Sequence, residues 1–174
     1  MAKKKDAATP AHIELIPATP EQKPILANLL ELYAHDFSEF HNMALQEDGR
    51  FGYTDLPLYW RETSRHPFLV RVDGNWAGFV LVKKSEVAKK ETVWDVAEFF
   101  VARGYRQRGI GTAVAHQVWK LFPGPWQVRV MDSNPAAKFW DRTVQRFIGR
   151  AVKAGSVDVD GVHWKVFSFE SVGS

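Results

Sequence analysis

A short loop with two glycines constrains this chain more than any other segment. The loop, Arg106-Gln107-Arg108-Gly109-Ile110-Gly111-Thr112, lies between an apolar run that ends at Val101 and a helical repeat of apolar residues. Glycine allows a tight backbone turn, and the first N–H groups of the following helix have no acceptor within it. Together with the positive end of the helix dipole, these N–H groups predict a site for an anion such as a phosphate.

Two common phosphate-binding motifs do not match this loop. No Gly-Lys-Ser/Thr follows a first glycine at the P-loop spacing anywhere in the chain. The dinucleotide motif GxGxxG needs a third glycine where Val114 stands, although Asp132 has the downstream spacing of that motif's acidic residue. A glycine-containing helix start without function is the remaining alternative, and the concentration of arginines at the loop disfavours it.

Composition limits the classes of protein to which the chain can belong. It has 174 residues, 45% of them hydrophobic and 25% charged, which predicts one globular domain. No apolar run approaches the length of a membrane helix, so we expect no membrane partner. The absence of cysteine excludes disulfides, thiolate zinc sites and a cysteine nucleophile, and the six histidines lack ligand spacing, so we expect no metal. The apolar stretch that a signal peptide needs does not follow the basic start, so we expect a cytoplasmic protein.

The pattern of apolar residues predicts the order βα(α)βββαβαββ. Residues 1–11 are predicted to form a flexible basic tail and residues 12–174 a single domain. The predicted strands are His12–Pro17, Phe68–Val72, Trp76–Val82, Thr92–Val101, Trp126–Met131, Val157–Val159 and Val162–Phe169. The predicted helices begin at Pro20, Leu56, Gly109 and Asn134-Pro135. This order predicts an α/β (α+β) fold with a mixed, largely antiparallel sheet, flanked by helices and parallel where a helix intervenes.

The first of these helices has a well-defined start. Thr19 as N-cap, Pro20 at the first helical position and Gln22 three residues after the cap form a capping box. The helix should run to about His35, and its spacing predicts an inward stripe of Ile25, Leu29 and Leu32.

The loop and its surroundings resemble motif A of the GNAT superfamily of N-acyltransferases. The resemblance lies in Phe99-Phe100-Val101, then four residues, then Arg106-x-x-Gly109-x-Gly111, and the element order from about Ile13 to Phe169 also fits the GNAT fold. The resemblance implies acetyl-CoA as cosubstrate and transfer of its acetyl group to a primary amine by direct attack in a ternary complex. It does not identify the amine.

Motif A also implies which residues bind coenzyme A. Backbone N–H groups of the loop would hold the pyrophosphate, and the strand before it would offer main-chain hydrogen bonds to the pantetheine and the thioester carbonyl. The implied residues are Phe99, Phe100, Val101, Arg106, Gln107, Arg108, Gly109, Ile110, Gly111 and Thr112.

The second landmark of the family is an asparagine after the next strand, followed on a helix by a tyrosine that protonates the leaving thiolate. Here the segment reads Asp132-Ser133-Asn134-Pro135-Ala136-Ala137-Lys138-Phe139-Trp140, with no tyrosine on the helix. Asn134 either contacts the pantetheine or serves only as an N-cap before Pro135. An indole N–H is not a usable acid, so another tyrosine, with Tyr105 the nearest in sequence, or a water would have to act.

Two carboxylates on the strand before motif A are candidates for the base that deprotonates the amine. These catalytic candidates are Asp95 and Glu98. Their odd separation places them on opposite faces of a regular strand, so only one faces the substrate unless a bulge intervenes. Each would need partial burial to act near neutral pH, and each has the alternative of a simple salt-bridge partner.

Charge is unevenly distributed along the chain. Val101 to Arg150 holds nine basic and two acidic residues, whereas Glu31 to Glu62 holds seven acidic and two basic ones. In the family the latter segment commonly lines the acceptor side, so we expect a small-molecule amine acceptor that is polycationic. The basic residues coincide with the loop instead of forming a stripe, which disfavours nucleic acid as a partner. A non-catalytic acyl-CoA-binding or regulatory domain stays the alternative function, and the sequence leaves open whether the protein forms a homodimer.

Overall fold

Seven strands form one mixed sheet in the computed structural model, which describes residues 11–87 and 91–173. The strands are β1 (Ile13–Pro17), β2 (Arg65–Val72), β3 (Asn75–Glu86), β4 (Thr92–Val101), β5 (Gly124–Met131), β6 (Gly155–Val159) and β7 (Val162–Ser171). Their order in the sheet is β1-β2-β3-β4-β5-β7-β6, and β4–β5 is the parallel pair among them. The predicted fold class is confirmed. The predicted tail lies outside the described residues, apart from Ala11.

Among the described residues, three α-helices cover the two faces of the sheet. They are α1 (Lys23–Phe37), α2 (Ile110–Leu121) and α3 (Ala136–Ile148). Helices α2 and α3 pack over one apolar cluster, which includes Val80, Val114 and Trp140. Helix α1 and a 3-10 turn at Leu56–Trp60 pack over a second cluster on the opposite face, which includes Leu81 and Phe100.

Local sequence signals set most element boundaries. Two hairpin turns have both central residues at positive φ, as a two-residue type I′ turn requires: Asp73-Gly74 at 50° and 79°, and Asp160-Gly161 at 50° and 79°. At the start of the first helix, the Thr19 backbone N–H donates to Gln22 Oε1 at 3.0 Å. The predicted capping box is therefore present, with a 3-10 turn at Pro20–Gln22 leading into α1.

The predicted inward stripe of α1 is correct only in part. Leu26, Leu30 and Ala34 are buried, Ile25 and Leu29 are partly buried against the second cluster, and Leu32 is 55% exposed. The apolar side chains of this helix are spread around most of its circumference, so periodicity alone does not select the buried face. Contact with the sheet decides it, because the face that meets Phe79 and Phe100 is the one that loses water.

The close approach of β3 and β4 requires a glycine at position 78. A Cβ atom there would lie 2.0 Å from the carbonyl oxygen of Phe100 on β4. The missing side chain thus allows β3 to hold the end of β4 closely, just before the glycine loop.

Candidate active site

A cleft opens where β4 and β5 separate. The two strands pair only at Trp94–Trp126 and Asp95–Gln127, and they diverge beyond that point. The cavity between them has a volume of about 430 Å³. Among the described residues, the β4 backbone from Val96 to Phe99 therefore has no strand partner on its β5 side. Its free N–H and C=O groups can bind an extended ligand laid along this edge.

A bulge in β4 decides how the two candidate carboxylates are arranged. Val96 opposes Val82 and Glu98 opposes Leu81, so Ala97 is an extra residue in the ladder. The extra residue reverses the expected alternation, and Asp95 and Glu98 lie on the same face of the sheet. That face is the one covered by α1.

Glu98 lines the cleft and has the properties of a base. The hydroxyl group of Tyr53 donates to its Oε1 at 3.1 Å. Burial raises the pKa of Glu98 above its ordinary value, and the charge of Asp95 acts in the same direction. Hydrogen bonds from Tyr33 and Tyr53 and the charge of Lys83 oppose this shift without cancelling it. The carboxylate is thus a stronger proton acceptor than a solvated one.

Asp95 is fully buried and its partners belong to the protein itself. Its Oδ2 accepts hydrogen bonds from Arg129 Nη2 at 2.7 Å, Ser85 Oγ at 3.1 Å and Gln127 Nε2 at 3.2 Å. The side chain has 0% exposure and does not line the cleft. Asp95 therefore fixes the position of neighbouring side chains, Arg129 in particular.

The glycine loop presents a set of backbone donors. Gln107 and Gly109 have left-handed φ values of 60° and 78°, and Gly109 is the N-cap of α2. Among the described residues, the N–H groups of Gln107, Arg108 and Gly109 have no backbone acceptor. Those of the next three residues, Ile110 to Thr112, belong to the first helical turn and lack one by geometry. These N–H groups fit an anionic group such as a pyrophosphate.

The side chain of Arg106 is bound to the protein itself. Its Nε donates to the carbonyl oxygen of Val101 at 2.6 Å, and its Nη2 pairs with Asp36 Oδ2 at 2.6 Å. Arg106 thus holds the loop against β4 and the end of α1, and it leaves the Val101 carbonyl occupied. Arg108, whose guanidinium lies over the Tyr105 ring, is exposed.

Four of the predicted coenzyme A-binding residues lie in three different places: on the cleft, under α1 and against α3. Phe99 faces the cleft, with its ring centroid 5.0 Å from that of Trp140, whereas Phe100 packs on the opposite side under α1. Asn134 lines the cleft and its Oδ1 accepts a hydrogen bond from the Ala136 N–H at 2.9 Å, as a cap does. Gly111 lies against α3, where a Cβ atom would be 3.1 Å from the Phe139 ring.

The sequence did not identify four polar or charged side chains that surround Glu98. Tyr33 and Tyr53 face Glu98, and Lys83 and Arg129 line the cleft beside it. No motif or spacing marks these side chains, since α1, a loop and two strands bring them together. Tyr105, the phenol nearest in sequence, is not part of the cleft lining.

The acidic segment from Glu31 to Glu62 does not line the cleft with carboxylates. Glu31 accepts hydrogen bonds from the N–H groups of Phe51 and Gly52 at 2.8 and 2.9 Å. Asp36 forms ion pairs with Arg103 and Arg106, at 2.6 Å each. Asp55 and Glu62 pair with Arg65. The residues of this segment that do line the cleft are Tyr33, Ala34, Phe37, His41, Met43, Gly52 and Tyr53. The structure therefore does not support the expected attraction of a polycationic acceptor by these carboxylates.

Comparison with known families agrees with this geometry. A family model described as the Acetyltransferase (GNAT) family matches residues 26–143. The chain belongs to this family. Its resemblance to GNAT proteins, inferred from motif A, is confirmed, and no curated protein matches the sequence.

Solved GNAT structures share the fold at low sequence identity. An acetyltransferase from Thermus thermophilus is 16% identical, with a TM-score of 0.63 over 91% of this chain and 96% of its own. NAA60 from Arabidopsis thaliana, in complex with acetyl-CoA, is 18% identical, with a TM-score of 0.60 over 91% and 99%. The aminoglycoside acetyltransferase AAC(6')-Ib, in complex with coenzyme A, is 15% identical, with a TM-score of 0.67 over 91% and 95%.

The features of this GNAT chain fit coenzyme A. The loop offers donors for a pyrophosphate, and the open β4 edge offers main-chain partners for a pantetheine arm. Among the described residues, no helix is long and apolar enough to span a membrane, and no three His, Asp or Glu side chains cluster as metal ligands do.

Proposed function

We propose that this protein transfers an acetyl group from acetyl-CoA to a primary amine of a small molecule, by direct attack in a ternary complex. The observation that carries the proposal is Glu98, a half-buried carboxylate with a raised pKa at the point where β4 and β5 separate. A base at this point lies beside the open strand edge along which the thioester arm would bind.

The chemistry requires an amine without its proton. Acetyl-CoA, when bound, supplies the acetyl group as a thioester, whose C–S bond breaks with the electron pair on sulfur as the amine nitrogen bonds to the acetyl carbon. The Glu98 carboxylate takes the proton of the ammonium form, directly or through a water. Asp95 is a positioning residue in this proposal, since its carboxylate is buried behind Arg129.

Two phenols in the cleft lie beside Glu98, whereas α3 has Phe139 and Trp140 and no tyrosine. The Tyr53 hydroxyl donates to Glu98, and Tyr33 faces the same carboxylate. Burial and the charge of Glu98 raise the pKa of both tyrosines, so both stay protonated at neutral pH and act as hydrogen-bond donors. A raised pKa makes a phenol a weaker acid, so in this proposal a water protonates the departing thiolate.

Release of free thiol from acetyl-CoA in the presence of a panel of amines tests the proposal. Glu98→Gln should lower the rate by about 10² to 10⁴-fold near neutral pH, and the loss should shrink as the pH approaches the pKa of the amine. Glu170→Gln, an exposed change on β7, is the matched control and should leave the rate unchanged. Equal rates for Glu98→Gln and wild type from about pH 6 to 9 would show that Glu98 is not the base.

The alternative, an acyl-CoA-binding domain without turnover, gives a different result. Coenzyme A would then bind with ordinary affinity, while no amine in the panel would release thiol above the rate of spontaneous hydrolysis. The partly buried base in the cleft favours the enzyme over this alternative.

A further inference from the structure

The charged side chains around the candidate active site point to the kind of amine that it accepts. Among the described residues that line the cleft, the charged side chains are Lys83, Glu98 and Arg129. Two are cations and one is the proposed base. A cleft that receives an ammonium group would be expected to hold more negative than positive charge, so the two cations need an explanation.

Lys83 and Arg129 lie on the same face of the sheet as Glu98. Lys83 opposes Asp95, Asp95 opposes Gln127, and Arg129 follows Gln127 by two residues on β5, which keeps it on that face. Lys83 also lies two residues along β3 from Leu81, the partner of Glu98, a distance of about 7 Å along the strand. The two cations therefore flank the base at the distance of a small molecule.

Arg129 is held in place by a carboxylate that ligands cannot reach. Its Nη2 donates to Oδ2 of Asp95, which has 0% exposure, and 43% of the Arg129 side chain is exposed. A guanidinium group has five N–H donors, so most of them remain available to a ligand in the cleft that Arg129 lines. A fixed, partly exposed guanidinium is suited to a planar carboxylate, which it can bind through two parallel hydrogen bonds.

Lys83 has no counterion in the described part of the cleft once Glu98 is protonated. Asp95 neutralises Arg129, whereas Lys83 forms no ion pair with any of the described residues. Once Glu98 has taken the proton of the amine, the cleft holds the Lys83 charge without a counterion. An anionic group on the acceptor would balance it, whereas a second ammonium group would add repulsion.

We propose that the acceptor is a zwitterion of the amino acid class, whose carboxylate binds Lys83 and Arg129 while its amine faces Glu98. This inference rests on the proposed function, because it assigns the substrate of the same site. It replaces the polycation expected from the acidic segment, whose carboxylates do not line the cleft.

A matched panel of acceptors tests the inference. The panel holds the standard amino acids, their amides and the corresponding decarboxylated amines, with spermidine as the polycation and a short peptide with a free N-terminus. Each is tested with acetyl-CoA by thiol release. We expect the best free amino acid to exceed its own amide and decarboxylated amine by about tenfold or more in kcat/KM, the effect of one or two charge-assisted hydrogen bonds.

Variants connect this preference to the two cations. Lys83→Met should lower kcat/KM for the amino acid about tenfold, and leave that for its amide within about threefold. Arg129→Lys, which keeps a partner for Asp95, should lower it for the amino acid and not for the amide. Lys84→Met, on the opposite face of β3 where the side chain stacks on Trp94, is the control and should change neither. Thermal unfolding checks that each variant is folded, and quenching of tryptophan fluorescence measures binding of the amino acid apart from turnover.

The outcomes separate this inference from the proposed function. If amides, decarboxylated amines, spermidine or the peptide are turned over and free amino acids are not, the transferase stands and the carboxylate subsite is wrong. Equal losses for the amino acid and its amide in Lys83→Met also overturn the subsite. No thiol release with any acceptor overturns both proposals.

Discussion

At the scale of single residues, burial of Glu98 acts in opposite directions on chemistry and on stability. The low-polarity surroundings that raise the pKa of this carboxyl make it a better proton acceptor. The same surroundings oppose its ionisation, so the folded protein is less stable when Glu98 is charged. Such a conflict between reactivity and stability is typical of active-site residues, as proposed for Glu98.

This conflict predicts an unusual pH dependence for Glu98→Gln. In the unfolded chain Glu98 ionises near an ordinary pKa of about 4.3, and in the folded protein it ionises at a higher pH. Between these two values only the unfolded state releases the proton, so the contribution of Glu98 to stability is lost as pH rises through its folded pKa. Glu98→Gln should therefore be less active than wild type but more stable at pH 8, with the stability difference vanishing near pH 4.

Urea unfolding of both proteins across that pH range measures the effect. Each unit of pKa difference corresponds to about 1.4 kcal/mol in the free energy of unfolding. A Glu98→Gln protein that is less stable than wild type at pH 8 would show that the hydrogen bonds from the tyrosines, and not burial, dominate at this residue.

At the scale of elements, an ion-pair cluster ties the end of α1 to the glycine loop. The carboxylate of Asp36 accepts hydrogen bonds from Nη2 of Arg103 and Nη2 of Arg106, each at 2.6 Å. Nε of Arg106 also donates to the carbonyl oxygen of Val101, the last residue of β4. The partial burial of Asp36 acts to raise its pKa, and the hydrogen bonds from the two arginines lower it below the ordinary value. This cluster links the end of α1 to the proposed anion site.

Asp36→Asn should loosen that connection. Both arginines are substantially exposed, so we expect a loss of roughly 1 kcal/mol in the free energy of unfolding at neutral pH. Because the folded pKa of Asp36 is lowered, its contribution is present above the unfolded pKa and is lost as pH falls through the folded one. The loop should also bind coenzyme A more weakly, as calorimetry can measure.

The control for this prediction is Glu47→Gln, an exposed change in the same acidic segment. It should alter neither stability nor coenzyme A affinity. If Asp36→Asn binds coenzyme A as wild type does, the loop is positioned by its own backbone and not by α1.

At the scale of the whole molecule, the sheet is weakest where its function is proposed to lie. Only two residue pairs join β4 to β5, whereas eight pairs join β5 to β7. The strands on either side of the cleft are held together mainly by the apolar cluster under α2 and α3, which includes Val128 and Trp140. A ligand along the cleft would add contacts to both sides at once.

Coenzyme A should therefore raise the melting temperature of the protein. At a ligand concentration about 100 times Kd, binding to the folded state contributes about 2.7 kcal/mol. For a chain of this size that corresponds to an increase of roughly 5 to 10 °C. The increase should grow with ligand concentration and be much smaller with pantetheine, which lacks the phosphates that the loop is proposed to hold. A melting temperature that does not respond to coenzyme A would contradict the assignment of the loop.

The local sequence determined most of the fold. The Asp73-Gly74 and Asp160-Gly161 turns, the capping box at Thr19 and Gln22 and the bounds of β4 follow from preferences that act over a few residues. The glycine loop was also predictable, because an anion site built from backbone N–H groups needs only a strand, a turn and a helix start that are adjacent in the chain.

The tertiary structure decided which carboxylate faces the cleft and what surrounds it. The bulge at Ala97 arises from the pairing of β4 with β3, and it overrides the strict alternation by which the sequence separates Asp95 from Glu98. Tyr53 is 45 residues from Glu98, and Arg129 is 34 residues from Asp95. Contacts over such separations depend on how strands and helices pack, and packing energy is shared among many residues, so no local pattern records it.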